Sequence, residues 1–167
     1  MNSPEDHVLA EGKYARLVNR GGWEFVERRD RCGIVGIVAL TDAGRLVLVE
    51  QYRPPVDARV VELPAGLVGD VPGHEAESLA DGARRELFEE TGYRCRDMLL
   101  VASGPPSAGL SAEVMSFFLA TGLEKAGPGG GDASEDIQVH EVPLGEARGW
   151  LEEQAARGAL IDLKVYA

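Results

Sequence analysis

Three runs rich in β-branched residues, GIVGIVAL at 33–40, RLVLVEQYR at 45–53 and ARVVELPAG at 58–66, follow one another with only TDAG and PPVD between them. Val and Ile are stiff at χ1 and pack well on a pleated surface, whereas TDAG and PPVD carry turn chemistry. A chain that opens its core this way builds a sheet and must fit the rest to its faces. A single long helical pattern follows from Glu75 to Thr91, and Gly92 is placed to close it in the left-handed conformation. MLLVASG, EVMSFFLATGL and IQVHEVPL read as further strands, and GEARGWLEEQAARG as a second helix because Ala147, Trp150, Leu151 and Ala155 recur at helical spacing. This order predicts an α/β fold with helices flanking a mixed sheet. Ahead of it, KYARLVNRGGWEFVERR predicts a hairpin turning at Asn19 to Gly22 and standing apart from the core. EKAGPGGGDASED, between the last two strands, reads as a flexible, acidic loop.

The 167 residues, 44% of them hydrophobic, suit one domain. Lys and Arg number 17 against 28 Asp and Glu, a formal charge of −11, so the basic footprint of a nucleic-acid binder is lacking. Such a chain acts on anionic phosphates only where arginines or divalent cations supply local positive charge. No apolar run reaches the roughly 18 residues of a membrane span, and MNSPEDHVLAEG is unlike a signal peptide. Cys32 and Cys95 form neither a metal-ligand spacing nor a disulfide framework. The expectation is a soluble, cytoplasmic protein without a membrane or nucleic-acid partner.

The first helix carries the chemistry. At about 100° per residue, Ala76, Ala80, Ala83 and Leu87 gather into its apolar stripe. Glu86 and Glu90 project on the flank of that stripe, toward the body of the protein. Like charges at i, i+4 cost roughly 0.2–0.5 kcal/mol even when exposed, and desolvation adds to this unless a cation compensates. Carboxylates so spaced can present oxygens to one hard ion, Mg²⁺ or Mn²⁺, with Glu89 at the edge of the surface. The plainer reading is a solvated face with i, i+4 pairs such as Arg85 with Glu89.

RELFEETGY fits the tail of the Nudix box, R-E-U-x-E-E-x-G-U with U apolar, and Glu77 stands seven residues before Arg85 as that box requires. The chain therefore resembles the Nudix hydrolases. It departs at the front, where Val71 stands in place of a glycine and Gly66 is the equivalent, displaced by five residues inserted in GLVGDVPGHEAE. LVEQYRPP, ELPAG, GLSAE and EDIQVHEVPL are similar to stretches in the branch that hydrolyses ADP-ribose and related nucleoside diphosphate sugars.

The resemblance implies a Nudix α/β/α sandwich with a mixed β-sheet and an N-terminal β-hairpin extension. It divides the chain into a disordered tail at 1–12, a dimerising hairpin at 13–30 and a Nudix domain at 31–167, and it implies a homodimer. It assigns metal binding to Glu86 and Glu90, with Glu89 supporting, and to the carbonyl of Ala65, and it makes Arg85 the group that orients the glutamates. Arg53 would contact phosphate, Glu113 would lie near the terminal sugar, and Trp23 would stack on a base or, equally, pack in a core or dimer contact. Glu135 is the candidate base and Asp132 the reserve. Mg²⁺, replaceable by Mn²⁺, would be the cofactor. Ala108 stands where ADP-ribose-specific members carry proline, so GDP-mannose or a UDP-sugar is the alternative substrate. A non-catalytic nucleotide-binding protein is the minor alternative.

Overall fold

The computed structural model describes residues 5–29, 33–70, 73–131 and 136–166. Strands β1 (Asp6–Glu11), β2 (Ala15–Arg20) and β3 (Trp23–Arg28) form a small antiparallel sheet. The predicted hairpin is β2 and β3, with Gly21 and Gly22 at φ 60° and 89° and the Gly22 N–H bonded to Asn19 Oδ1 at 3.0 Å. The expected disordered tail at 1–12 is corrected over Asp6–Glu11. Those residues pair along β2, and Asp6 holds Arg20 through two hydrogen bonds of 2.5 and 2.7 Å.

The large sheet takes β4 (Gly33–Leu40), β5 (Arg45–Arg53), β6 (Ala58–Glu62), β7 (Ala65–Val68), β8 (Tyr93–Gly104), β9 (Met115–Lys125), β10 (Gln138–Pro143) and β11 (Leu160–Ile161). Its spatial order is β11-β6-β5-β4-β9-β8, with β10 added along β5 and β7 along β4. β4 runs parallel to β9 and antiparallel to β7 and β5, so the sheet is mixed. ARVVELPAG divides into β6 and β7 rather than forming one strand. Pro64 has no N–H for a ladder, and its carbonyl instead accepts the Ile37 N–H at 2.8 Å.

Alternation along β5 sends Val47 to one face and Leu46 and Leu48 to the other. Val47 joins Val35, Ile37 and Ala39 beneath Ala83 and Leu87 of helix α1 (Leu79–Thr91). Leu46 and Leu48 join Val61, Leu63 and Val142 beneath Ala147 and Leu151 of α2 (Ala147–Ala156). The sheet thus lies between two helices, an α/β/α sandwich. α1 starts at Leu79 rather than near Glu75 because Ser78 caps it, accepting the Asp81 N–H on its hydroxyl at 3.1 Å. Ala76 consequently lies outside the helix and is exposed.

The described part of the glycine-rich segment is bonded backbone rather than free chain. Ala126 and Gly127 donate to the Gly92 carbonyl at 2.9 and 3.0 Å, Gly130 to Glu90 O at 2.8 Å and Gly131 to Glu89 O at 3.0 Å. These N–H groups satisfy carbonyls that the end of α1 leaves without helical partners. A Cβ on Gly129, whose φ is +70°, would meet the backbone carbon of Thr91 at 2.5 Å, so the approach needs glycine. No described helix is long and apolar enough to cross a membrane.

Candidate active site

An open cleft of about 690 Å³ lies where β7, the C-terminal half of α1 and the N-terminal sheet meet. Glu86, Glu90, Ala65, Gly66 and Asp70 line it, together with Arg28, Arg53, Gln51, Glu62, Glu113 and Lys164. The two helix glutamates are there because α1 buries Ala83 and Leu87, which turns positions 86 and 90 toward β7. Glu90 is only 4% exposed and accepts the Ala65 N–H at 3.0 Å. Glu86 lies flat against Gly66, where a Cβ would fall 2.0 Å from the Glu86 carboxyl carbon. The displaced glycine read from the sequence is thus the one that admits the carboxylate.

Arg85 is largely covered, its side chain 13% exposed. Nη2 donates to Leu67 O at 2.7 Å and to Glu77 Oε1 at 2.8 Å, and Nε donates to Glu77 Oε2 at 3.3 Å. Nη1 reaches Glu86 at 2.8 Å and Glu89 at 3.0 Å. All five donors of the guanidinium are therefore used, which both orients Glu86 and ties α1 to β7. Glu77 is drawn below the usual carboxylate range, first by Arg85 and also by the Gly69 N–H, against the effect of burial. Arg85 is held more firmly protonated than usual, Glu77 being the main cause. Glu86 moves the other way, pushed up to about 7 chiefly by burial, with Arg85 lowering it and Glu89 and Asp70 raising it.

Two desolvated carboxylates side by side, with hard oxygen donors and a shared demand for positive charge, fit a divalent cation. Among the described residues no three His, Cys, Asp or Glu side chains converge into a ready-made cage.

Glu89, expected to support the metal, is 49% exposed, is paired with Arg85 and is not among the cleft-lining residues. Arg53 and Glu113 both line the cleft. Arg53 donates from Nε to Glu62 at 2.7 Å, and Glu113 accepts from Arg28 Nε at 2.7 Å. Trp23 lines a smaller adjoining hollow with Arg20, Phe25, Ala108, Ser111 and Ala112, and its Nε1 donates to Gly109 O at 3.3 Å. Docking of β3 on the segment around Leu110 forms that hollow, through Val26 N to Leu110 O and Ala112 N to Val26 O. Glu135, Asp132, Cys32 and Val71 lie outside the described residues. Cys95 is half-buried against the α1 core, its thiol pushed up by burial.

Arg28, Gln51 and Lys164 also line the cleft and were not singled out in the sequence.

The NUDIX domain family matches residues 30–164. The chain is 36% identical over 123 residues to the methanol dehydrogenase activator of Bacillus methanolicus, covering 73% of this chain and 64% of that protein. It is 36% identical over 119 residues to the ADP-ribose pyrophosphatase of Bacillus subtilis (strain 168), covering 69% of this chain and 60% of that protein. The chain thus spans under two thirds of the length of these curated relatives. A solved structure titled as an ADP compounds hydrolase superposes with a TM-score of 0.71 at 21% identity, over 91% of this chain and 84% of that one, a likeness of fold. The box residues, the sandwich and the family match over 30–164 agree: the chain belongs to the Nudix family.

Proposed function

We propose that this chain hydrolyses the pyrophosphate bond of ADP-ribose or a related nucleoside diphosphate sugar, in a metal-dependent reaction that gives a nucleoside monophosphate and a sugar phosphate. The observation that carries this reading is the pair of desolvated glutamates, Glu86 and Glu90, lining the same cleft as Arg53 and Arg28. Carboxylates alone would repel a diphosphate, and arginines alone would bind it without activating water.

Glu86, Glu90 and the Ala65 carbonyl would hold Mg²⁺, with Mn²⁺ as a substitute; bound there, the ion supplies charge neutralisation at phosphoryl oxygens and acidifies bound water. Arg85 keeps Glu86 in place by a charge-assisted hydrogen bond. Arg53 and Arg28 each commit Nε to a carboxylate, Glu62 and Glu113, which fixes the guanidinium planes and presents their remaining N–H groups to phosphate and sugar. Glu135, with Asp132 in reserve, takes the proton from the attacking water. The new P–O bond forms as the bridging P–O bond breaks, and the bridging oxygen leaves with the other phosphate. Positioning and charge stabilisation do most of the catalytic work in such a transfer.

Trp23 in its hollow offers an indole face to a base. Ala108 lines the same hollow, and this observation favours the second reading, a GDP-mannose or UDP-sugar pyrophosphatase. The N-terminal sheet is proposed to join two copies into a homodimer, which light scattering tests.

The decisive experiment incubates the protein and Mg²⁺ with ADP-ribose, GDP-mannose and UDP-glucose, with and without EDTA, beside Glu86→Gln/Glu90→Gln. EDTA-sensitive nucleoside monophosphate from the wild type, and its loss by at least about a hundredfold in the double variant, is the expected result. Unaltered product release by the double variant would refute the assignment of the metal.

A further inference from the structure

Lys164 enters the cleft from a part of the chain that no motif marks. β11 runs parallel to β6, Leu160 beside Val60 and Ile161 beside Val61, so the chain leaves the sheet at the same end as Glu62, the partner of Arg53. Asp162 then anchors the turn. Its N–H donates to Val61 O at 2.9 Å, its Oδ1 accepts the Lys164 backbone N–H at 2.8 Å, and its Oδ2 accepts the Lys164 ammonium. The Lys164 side chain is 32% exposed and lines the cleft.

The balance of charge makes this placement informative. Among the described cleft-lining side chains, the cations Arg28, Arg53 and Lys164 face the carboxylates Glu62, Asp70, Glu86, Glu90 and Glu113, a formal 3 − 5 = −2. Arg28 and Arg53 are bonded to Glu113 and Glu62, which themselves line the cleft. The carboxylate that holds Lys164, Asp162, is not a cleft-lining residue. Among the described lining cations, Lys164 is therefore the one whose carboxylate partner stands outside the cleft wall, behind the ammonium. An ammonium has three donors, and Asp162 takes one of them. The other two lysines are occupied elsewhere, Lys13 over the Tyr14 ring and Lys125 on the Thr91 carbonyl.

Resting on the reading of the cleft as a nucleoside diphosphate site, we propose that Lys164 contacts an unesterified phosphoryl oxygen of the substrate diphosphate, beside Arg53, and that Asp162 is its positioning residue. Lys164 would then act as a point charge that holds the diphosphate in register with Glu86 and Glu90.

The test is calorimetric titration of wild type, Lys164→Gln, Lys164→Arg and Asp162→Asn with ADP and with AMP in Mg²⁺, beside kinetics on the sugar nucleotide that the wild type turns over fastest. Lys164→Gln is expected to weaken ADP about tenfold, or about 1.4 kcal/mol, to weaken AMP less, and to raise KM more than it lowers kcat. Lys164→Arg restores most of the ADP affinity, and Asp162→Asn gives an intermediate loss. A purely structural role for the pair predicts instead that Lys164→Gln and Asp162→Asn lower Tm together and leave ADP affinity and KM unchanged, which overturns the proposal. Absence of ADP binding by the wild type overturns it too. Weakened ADP binding by Lys164→Gln in a protein that hydrolyses none of the sugar nucleotides would uphold the proposal while the hydrolase reading fell.

Discussion

Replacing Arg85 by Gln removes the charge that five hydrogen bonds share and strands the groups around it. Glu77, 7% exposed, would keep its negative charge without its main partner, and Leu67 O would lose its donor. Breaking a buried pair by removing one member costs about 3–5 kcal/mol, because the remaining charge stays desolvated. Half-exposed Glu89 adds little to that sum. At this chain length each kcal/mol moves Tm by about 2–4 °C, so Arg85→Gln is expected to lower Tm by about 6–20 °C. The measurement is thermal and urea unfolding in EDTA, which keeps metal binding out of the comparison, for wild type, Arg85→Gln, Glu77→Gln and the double variant. Removing both partners leaves less uncompensated charge than removing one, so the double variant should be more stable than the two single losses added together. A fall of less than about 3 °C for Arg85→Gln, or strict additivity in the cycle, would refute the view that Arg85 clamps β7 to α1.

Gly66→Ala should spare the fold and damage the site, since the atoms in the way of its Cβ are the movable end of Glu86. Tm is expected to stay close to wild type while hydrolysis, and the apparent affinity for Mg²⁺ in a metal titration, fall about 10–100-fold. Acid should weaken the Arg85 clamp. The folded-state pKa of Glu77 is depressed below 4.5, so its contribution is fully present above that value and is lost as pH falls through the lower folded value. Compared in a Glu86→Gln background, which removes the carboxyl pushed up to about 7, the Tm gap between Arg85 and Arg85→Gln should therefore hold near neutrality and narrow below about pH 4.5; a gap that narrows on the alkaline side instead would contradict the sign.

The parts of the site that lie on α1 were legible because one periodicity controls them. Once Ala83 and Leu87 are buried, the positions of Glu86 and Glu90 follow from 3.6 residues per turn. The start of that helix was not legible from the stripe, because the Ser78 hydroxyl, rather than the apolar pattern, decides where the first turn begins. The break in ARVVELPAG has a similar cause, a proline whose carbonyl serves β4. The pairing of Glu89 with Arg85 was legible too, because four residues on a helix bring the two side chains within reach, and they meet at 3.0 Å. Arg28, Lys164 and the hollow around Trp23 depend on how β3 docks near Leu110 and how β11 registers on β6. Such convergence of distant segments leaves no local trace in a sequence. Composition also misled in one place, because glycine serves close backbone approach as well as freedom, and at Gly129 it serves the former.

That backbone seam between Ala126–Gly131 and the last turn of α1 has a mechanical consequence. Opening it exposes the carbonyls of Glu89, Glu90 and Gly92 together, so the segment and the helix end should fray as one cooperative unit and exchange their amide hydrogens at a common rate. The turn that carries Glu90 then inherits its rigidity from a part of the chain more than thirty residues downstream, which is not among the described residues lining the cleft.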